Sequence, residues 1–202
     1  MYYKRKIPKY ATYLFACSED AGRWMFGNAK FSILHNAIDT SKYAYSVKKR
    51  KQMRSEFDIK EETLVIGHVG RFSYPKNHMY LLEVFKKISE ERDAILLLVG
   101  DGHLRLEIEN KINQLQLKNR VILTGVRNDV AELMQAMDAF ILPSKYEGLG
   151  IVVIEAQAAG LPCIVSDKVS LECKKTELVH QMSLSDEPEK WAEKLISLSA
   201  IE

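Results

Sequence analysis

Residues 139–167 read AFILPSKYEGLGIVVIEAQAAGLPCIVSD. The stretch opens on a short apolar run, AFILPS (139–144), and closes on another, PCIVSD (162–167). Between them Ile151, Val152, Val153, Ile154, Ala156, Ala158 and Ala159 are apolar on nearly every side of a helix, which is the composition of a buried one. Two short Val/Ile/Leu-rich runs around a buried helix make one strand–helix–strand unit of a parallel sheet.

Working towards the N-terminus, the same unit repeats. Further runs are TLVIGHVG (63–70), AILLLVG (94–100) and RVILTG (120–125). They show little in/out alternation, as expected of parallel strands covered on both faces. The intervening stretches predict helices over residues 77–92, 103–117, 128–137, 151–160 and 187–199. In the first, Met79, Leu82, Phe85 and Ile88 keep a helical apolar stripe. This alternation predicts the α/β class: right-handed βαβ units in one parallel sheet with helices on both faces.

Residues 1–30 read differently. ATYLFAC (11–17) predicts a strand with no partner in nearby sequence, and Ser18 with Glu19 and Asp20 predicts the start of a short helix carrying Trp24 and Met25. FSILHNAID (31–39) predicts another strand and a turn. The first 30 residues thus read as the tail of a preceding unit, and residues 31–202 as the main domain.

Composition excludes several classes. The chain has 202 residues, 47% hydrophobic and 28% charged, an ordinary globular mix long enough to bury its own core without a disulfide or metal staple. No apolar run approaches the roughly 20 residues that span a membrane. The N-terminal apolar stretch is too short and broken for a secretory signal. Cys17, Cys163 and Cys173 have no metal-ligand spacing, and their odd number argues against a disulfide framework, so a reducing, cytoplasmic setting fits. Residues 1–60 carry 13 Lys and Arg against 5 Asp and Glu, and the remainder 16 against 22. A basic front suits an anionic membrane surface or a nucleic acid. A solvated helix face around residues 48–54 explains it without either, and no nucleic-acid partner is expected.

The residues just after each strand carry the chemistry. Gly70-Arg71, Gly100-Asp101-Gly102, Gly125-Val126-Arg127 and Pro143-Ser144 with Glu147-Gly148-Leu149-Gly150 stand at four successive strand ends. Open α/β sheets bind ligands in the crevice at those carboxyl ends. Arg71 and Lys76 in GRFSYPKN (70–77) are two cations suited to a diphosphate, one a fork of donors and the other a point charge. Gly148 and Gly150 let the backbone approach a ligand, and the free N–H groups of the following helix suit a phosphate. Glu155 is the one ionisable residue of an apolar helix. About one turn in, it points back at the crevice, where without a fixed protein partner it would accept hydrogen bonds from paired hydroxyls such as those of a ribose. The alternative is a carboxylate that bridges backbone amides inside the fold. There is no GxGxxG after the first strand, no GxxxxGK[ST] and no clustered Asp motif, which disfavours a dinucleotide oxidoreductase, a P-loop NTPase and a divalent-metal site. The five histidines are scattered and read as structural or solvent-exposed.

GRFSYPKN, VGDGHLR (99–105), LTGVRNDV (123–130) and the 143–167 stretch together resemble the C-terminal, Rossmann-like domain of family-4 retaining glycosyltransferases of the GT-B fold. The Glu-x7-Glu element, here Glu147 to Glu155, is that family's hallmark, and the resemblance covers residues 11–186. It is nearest to bacterial enzymes of capsular or exopolysaccharide assembly. It implies that Arg71 and Lys76 hold the donor's diphosphate and stabilise the leaving group, that Glu155 binds the ribose, and that Glu147 contacts the donor sugar beside the N–H groups of Gly148, Leu149 and Gly150. It also implies that Val126-Arg127 packs on the base through main-chain contacts and that Gly70 lets the backbone approach the donor. The implied partners are a nucleotide-sugar, taken as substrate with no cofactor and no metal, and a glycan or lipid-linked acceptor at the inner face of a membrane.

Family members are about twice this length and carry an N-terminal acceptor domain, of which residues 1–30 resemble the last helix, strand and linker. The lone chain is therefore expected to bind donor without turnover and to self-associate through an exposed apolar rim of Tyr13, Phe15, Trp24 and Phe26. The alternatives are a nucleotide-binding module without transfer activity, truncated or one half of a two-chain enzyme, and a GT-B sugar-nucleotide epimerase.

Overall fold

The computed structural model describes residues 2–199; Met1 and residues 200–202, the outermost positions of the two expected segments, lie outside the described residues. Tyr2–Tyr10 forms α1. Phe15–Ala16 (β1) and Ser32–Ile33 (β2) flank α2, Glu19–Phe26, and pair with each other in parallel. The strand expected over residues 11–17 therefore does have a nearby partner, and the boundary expected at residues 30 and 31 falls inside this ladder. Both strands are only two residues long, because β2 is exposed and β1 half-exposed, with no sheet face to bury. Ser18 caps α2 as expected, accepting from the Ala21 N–H at 3.0 Å. Tyr13, Phe15 and Trp24 stand exposed, while Phe26 is half-buried beside the Phe31 ring.

After α3 (Val47–Glu56), the chain alternates β3 (Leu64–Val69), α4 (His78–Glu91), β4 (Ala94–Val99), α5 (Arg105–Gln114), β5 (Val121–Gly125), α6 (Val130–Ala136), β6 (Ala139–Leu142), α7 (Ile151–Ala158) and β7 (Cys163–Ser166). It ends with β8 (Val179–Met182) and α8 (Pro188–Ser199). These strands form one parallel sheet in the order β5-β4-β3-β6-β7-β8. The five expected strands and five expected helices are present with ends shifted by a few residues. β8 was not expected: Val-His-Gln-Met is a short edge strand with one buried residue, and nothing in its composition separates it from a loop.

Consecutive strand residues bury towards opposite faces. Val65, Leu97, Phe140 and Val165 pack under α3, α6 and α7, while Ile66, Leu96, Leu98, Ile141 and Ile164 pack under α4, α5 and α8. That two-sided burial is why these runs show no polar alternation.

The basic helix face expected to be solvated around residues 48–54 is corrected by the structure. Lys48 and Lys51 are exposed, but Arg54 is only 2% exposed. Its guanidinium donates to Asp138 Oδ2 at 2.7 Å and to the carbonyls of Ala136, Lys60, Glu61 and Thr63. Arg50 reaches Asp138 Oδ1 at 2.7 Å, and Asp138 Oδ2 also accepts from the Val65 N–H. The pair pins α3 to the amino ends of β3 and β6. The sequence spacing hid it because Asp138 lies more than 80 residues away.

Two histidines lie under the β3–α4 loop. His68 is fully buried, with Nδ1 2.9 Å from the Ile141 carbonyl, which only accepts, so Nδ1 carries the proton. Its ring meets that of His78 edge-on at 4.8 Å, and His78 in turn abuts Phe72. Among the described residues, nothing bonds His68 Nε2 or either ring nitrogen of His78. Burial, reinforced by the Lys76 charge, pushes His78 down to about 4. Burial, then His78, holds His68 well below the ordinary range.

Two outcomes are expected. Arg54→Ala leaves Asp138 and several carbonyls without their buried donor and lowers the unfolding free energy by about 3–5 kcal/mol, whereas Lys48→Ala changes it by about 0.5 kcal/mol or less. Urea unfolding of both variants checks this, and equal midpoints would refute it. His78 takes up a proton near pH 6.5 when unfolded but only near 4 when folded, so its contribution is complete above pH 6.5 and is lost as pH falls towards 4. Between pH 7 and pH 4 the stability difference between His78→Leu and the parent should move by about 3 kcal/mol in the variant's favour. A pH-independent difference excludes that linkage.

Candidate functional site

The sheet order reverses between β3 and β6. Strands added after β3 extend one way to β5, and those from β6 extend the other way to β8. The loops leaving β3 and β6 therefore part, and the crevice between them opens at the carboxyl ends. A cavity of about 840 Å³ occupies it, lined by Gly70, Arg71 and Lys76 from the first loop and Glu147, Leu149, Gly150 and Glu155 from the second loop and α7. Seven of the ten residues singled out from sequence thus meet in one hollow.

The two loops are tied together. The Lys145 N–H donates to the Pro75 carbonyl at 2.7 Å, and the Lys145 ammonium lies 3.6 Å from the Tyr74 ring centroid. Residues Tyr74–Lys76 form a 3-10 turn that aims Lys76 across the crevice. Its Nζ lies 2.7 Å from Glu147 Oε1, with both side chains largely buried. The Ser144 hydroxyl donates to the same oxygen at 2.6 Å. Arg71 is exposed at the mouth and makes no ion pair among the described residues. Gly150 caps α7 at φ 72°, a left-handed conformation that favours glycine. It brings no side chain to occupy the first-turn N–H groups. Its carbonyl accepts from the Val153 N–H, and the helix dipole faces the cavity. Gly100, at φ 136°, lets β3 and β4 close up, since a Cβ there would collide with the Gly70 carbonyl oxygen.

Glu155 is half-buried in the cavity wall. Burial raises its carboxyl, and the neighbouring Tyr43 hydroxyl opposes that shift. Tyr43 is itself pushed up to about 12 by burial and then by the Glu155 charge. Tyr43 is thus a polar neighbour of Glu155 that the sequence reading did not include. The alternative of bridged backbone amides is not seen, as no amide among the described residues donates to it. Tyr43 is held from behind by buried Gln135, whose Nε2 donates to the Tyr43 carbonyl at 2.9 Å and whose Oε1 accepts from the Ser46 N–H.

Three expected residues stand outside the main cavity. Val126 and Arg127 border an adjoining hollow of about 420 Å³ that shares Gly70 and Arg71. Val126 is 77% exposed, while the Arg127 guanidinium is engaged by Asp129 at 2.6 Å and Glu56 at 2.9 Å. Only the backbone and Val126 of this segment remain open to a ligand. Gly148 turns its carbonyl to the Ser18 hydroxyl at 2.7 Å, tying α2 to the loop. Sequence reasoning missed Lys42, Tyr43, Lys49 and Asn128, which also line the cavity, as do Cys17, Asn36 and Glu132. Residues 40–46 have no periodicity or motif that could have flagged them. The three cysteines are free, and no cluster of three metal-ligating side chains occurs among the described residues. No helix among the described residues is long and apolar enough to cross a membrane.

Known proteins share this sequence and fold. The chain is 38% identical to a protein described as putative glycosyltransferase EpsF from Bacillus subtilis, over 98% of this chain and 53% of that protein. It is 37% identical over 68% of its length to the Escherichia coli UDP-Gal:alpha-D-GlcNAc-diphosphoundecaprenol alpha-1,3-galactosyltransferase, covering 37% of that enzyme. The chain thus spans about half the length, or less, of these curated relatives. Among solved structures, Anabaena Alr3699/HepE in complex with UDP and glucose superposes with a TM-score of 0.86 at 23% identity, over 98% of this chain and 56% of that one. The six-stranded parallel sheet matches the Rossmann-like architecture of GT-B glycosyltransferases. Residues 49–200 match the family described as glycosyl transferases group 1, and the chain belongs to that family.

Proposed function

We propose that this chain is the donor-binding unit of a retaining glycosyltransferase, taking a hexosyl group from a nucleotide-diphosphate sugar to a glycan or lipid-linked acceptor in cell-surface polysaccharide assembly. The observation that carries the reading is the meeting of Arg71, Lys76, Glu147, Glu155 and the α7 N-terminus in one cavity at the switch point of the sheet. In it, Arg71 and Lys76 with the α7 N-terminus neutralise the diphosphate and stabilise its departure. Glu155 accepts from the ribose hydroxyls, with the Tyr43 hydroxyl as its neighbour. Glu147 orients the sugar. The exposed backbone at Val126 borders the hollow where the base lies. Two positive side chains and a helix end supply the charge that a metal supplies elsewhere, so the proposed binding is metal-independent.

The relatives support the substrate class. One acts, by its name, on a UDP-sugar and a diphosphoundecaprenol acceptor, and the Anabaena protein was crystallised with UDP and glucose. Transfer also requires an acceptor hydroxyl held against the anomeric carbon in a site closed from water. The cavity here is open, so the 202-residue chain is proposed to bind donor without steady turnover.

Calorimetry against UDP, GDP and ADP and their glucose conjugates tests this. One nucleotide should bind clearly, with affinity unchanged by EDTA, and Glu155→Gln should weaken it by about 1.5–3 kcal/mol, the scale of a charged hydrogen bond. Binding that disappears with EDTA and returns with Mg²⁺ refutes metal independence. Unaltered binding by Glu155→Gln, with a lower melting temperature, makes that carboxylate structural.

A further inference from the structure

We infer that Ser144 is the positioning residue that orients the Glu147 carboxylate, so that its free oxygen faces the donor sugar. The inference rests on the proposed role of Glu147 as the sugar-side carboxylate, and the geometry around that group carries it further. Ser144 is fully buried at the end of β6, and its hydroxyl donates to Glu147 Oε1 at 2.6 Å. Lys76 Nζ reaches the same oxygen at 2.7 Å from the opposite wall. No group among the described residues donates to Oε2. A carboxylate held twice through one oxygen cannot rotate without breaking both contacts, so Oε2 is the oxygen presented to the cavity that Glu147 lines.

Lys76 alone does not fix this orientation. An ammonium is a point charge on a flexible stem, with no preference between the two oxygens of a carboxylate. A serine three residues before Glu147 in the same loop has a short, fixed reach and gives the direction. Ser144 is fixed in turn. Its carbonyl accepts from the buried Ser166 hydroxyl at the end of β7, whose oxygen also accepts from the Lys168 N–H at 3.2 Å. The strand ends of β6 and β7 are thus linked through two buried serines to one carboxylate. Ser144 itself touches neither the proposed phosphate site nor the ribose site, and its one contact with the cavity wall is the sugar-side carboxylate.

The experiment measures the affinity ratio of the nucleoside diphosphate to its glucose, galactose and N-acetylglucosamine conjugates, by calorimetry on the full chain, for the parent, Ser144→Ala and Ser144→Thr. The nucleotide used is whichever of UDP, GDP and ADP the parent binds best. Ser144→Ala should keep the affinity for the bare nucleotide and lose about tenfold of the preference for the best conjugate, the factor expected for one hydrogen bond to a carboxylate. Ser144→Thr, which keeps the hydroxyl, should restore the preference. Parent-like ratios in Ser144→Ala overturn the inference. So does an equal loss for bare nucleotide and conjugate with a lowered melting temperature and no rescue by threonine, since that is a structural serine. A parent that binds nucleotide but gains nothing from any sugar overturns it through the role of Glu147, leaving nucleotide binding intact. A parent that binds no nucleotide removes the proposed function and this inference together.

Discussion

All six strands of the main sheet run in the same direction, and the order in which they are laid down reverses once, between β3 and β6. Right-handed crossovers place the helices after β3 and after β6 on opposite faces. The backbone must therefore diverge where those two strands end. Every other feature of the site depends on that divergence. The loop from β3 brings cations, the loop from β6 brings a carboxylate and a helix N-terminus, and the gap between them is the cavity. At the other end of the same two strands, Arg54 and Arg50 grip Asp138, so the amino ends are locked while the carboxyl ends part.

Much of this was legible in the sequence because its causes are local. Apolar runs without alternation announce strands covered on both faces, and glycine with charge after several successive runs announces strand ends that border a cavity. The Glu147–Glu155 spacing places one carboxylate in the loop and the other one turn into a helix. The features that stayed hidden depend on contacts that no spacing encodes. Tyr43 sits far from Glu155 in sequence, and buried Gln135 anchors its backbone at the cavity wall. Arg54 reads as one more solvated cation until Asp138 arrives from a distant loop. β8 is too short and too polar to differ from the loop around it. The Arg127 side chain is taken by Glu56 and Asp129, partners that the sequence reading of its main chain did not include.

The charge pattern has the same character. The basic excess of the first 60 residues looks like a surface property in the sequence, but part of it is consumed by acidic partners from the later part of the chain. Lys49 meets Glu132, and Arg50 meets Asp138. Net charge by segment describes the unfolded chain better than the folded surface, because folding brings oppositely charged segments together.

The Lys76–Glu147 pair spans the two walls of the cavity. A largely buried ion pair is weak evidence for stability, because desolvation offsets most of the attraction. Its geometry is informative instead. An ammonium has three donors, and Glu147 takes one, so two remain for a second anion. In the donor site proposed above, a diphosphate on the Arg71 side would share Lys76 with Glu147 without breaking the pair, the cation between them screening its repulsion with the carboxylate. His68 and His78 add no charge beneath the loop: burial against each other and against Phe72 and Phe140, with the Lys76 charge added, disfavours a proton on either. The neutral histidine floor thus leaves Lys76 and Arg71 as the cations that the β3–α4 loop turns towards the crevice.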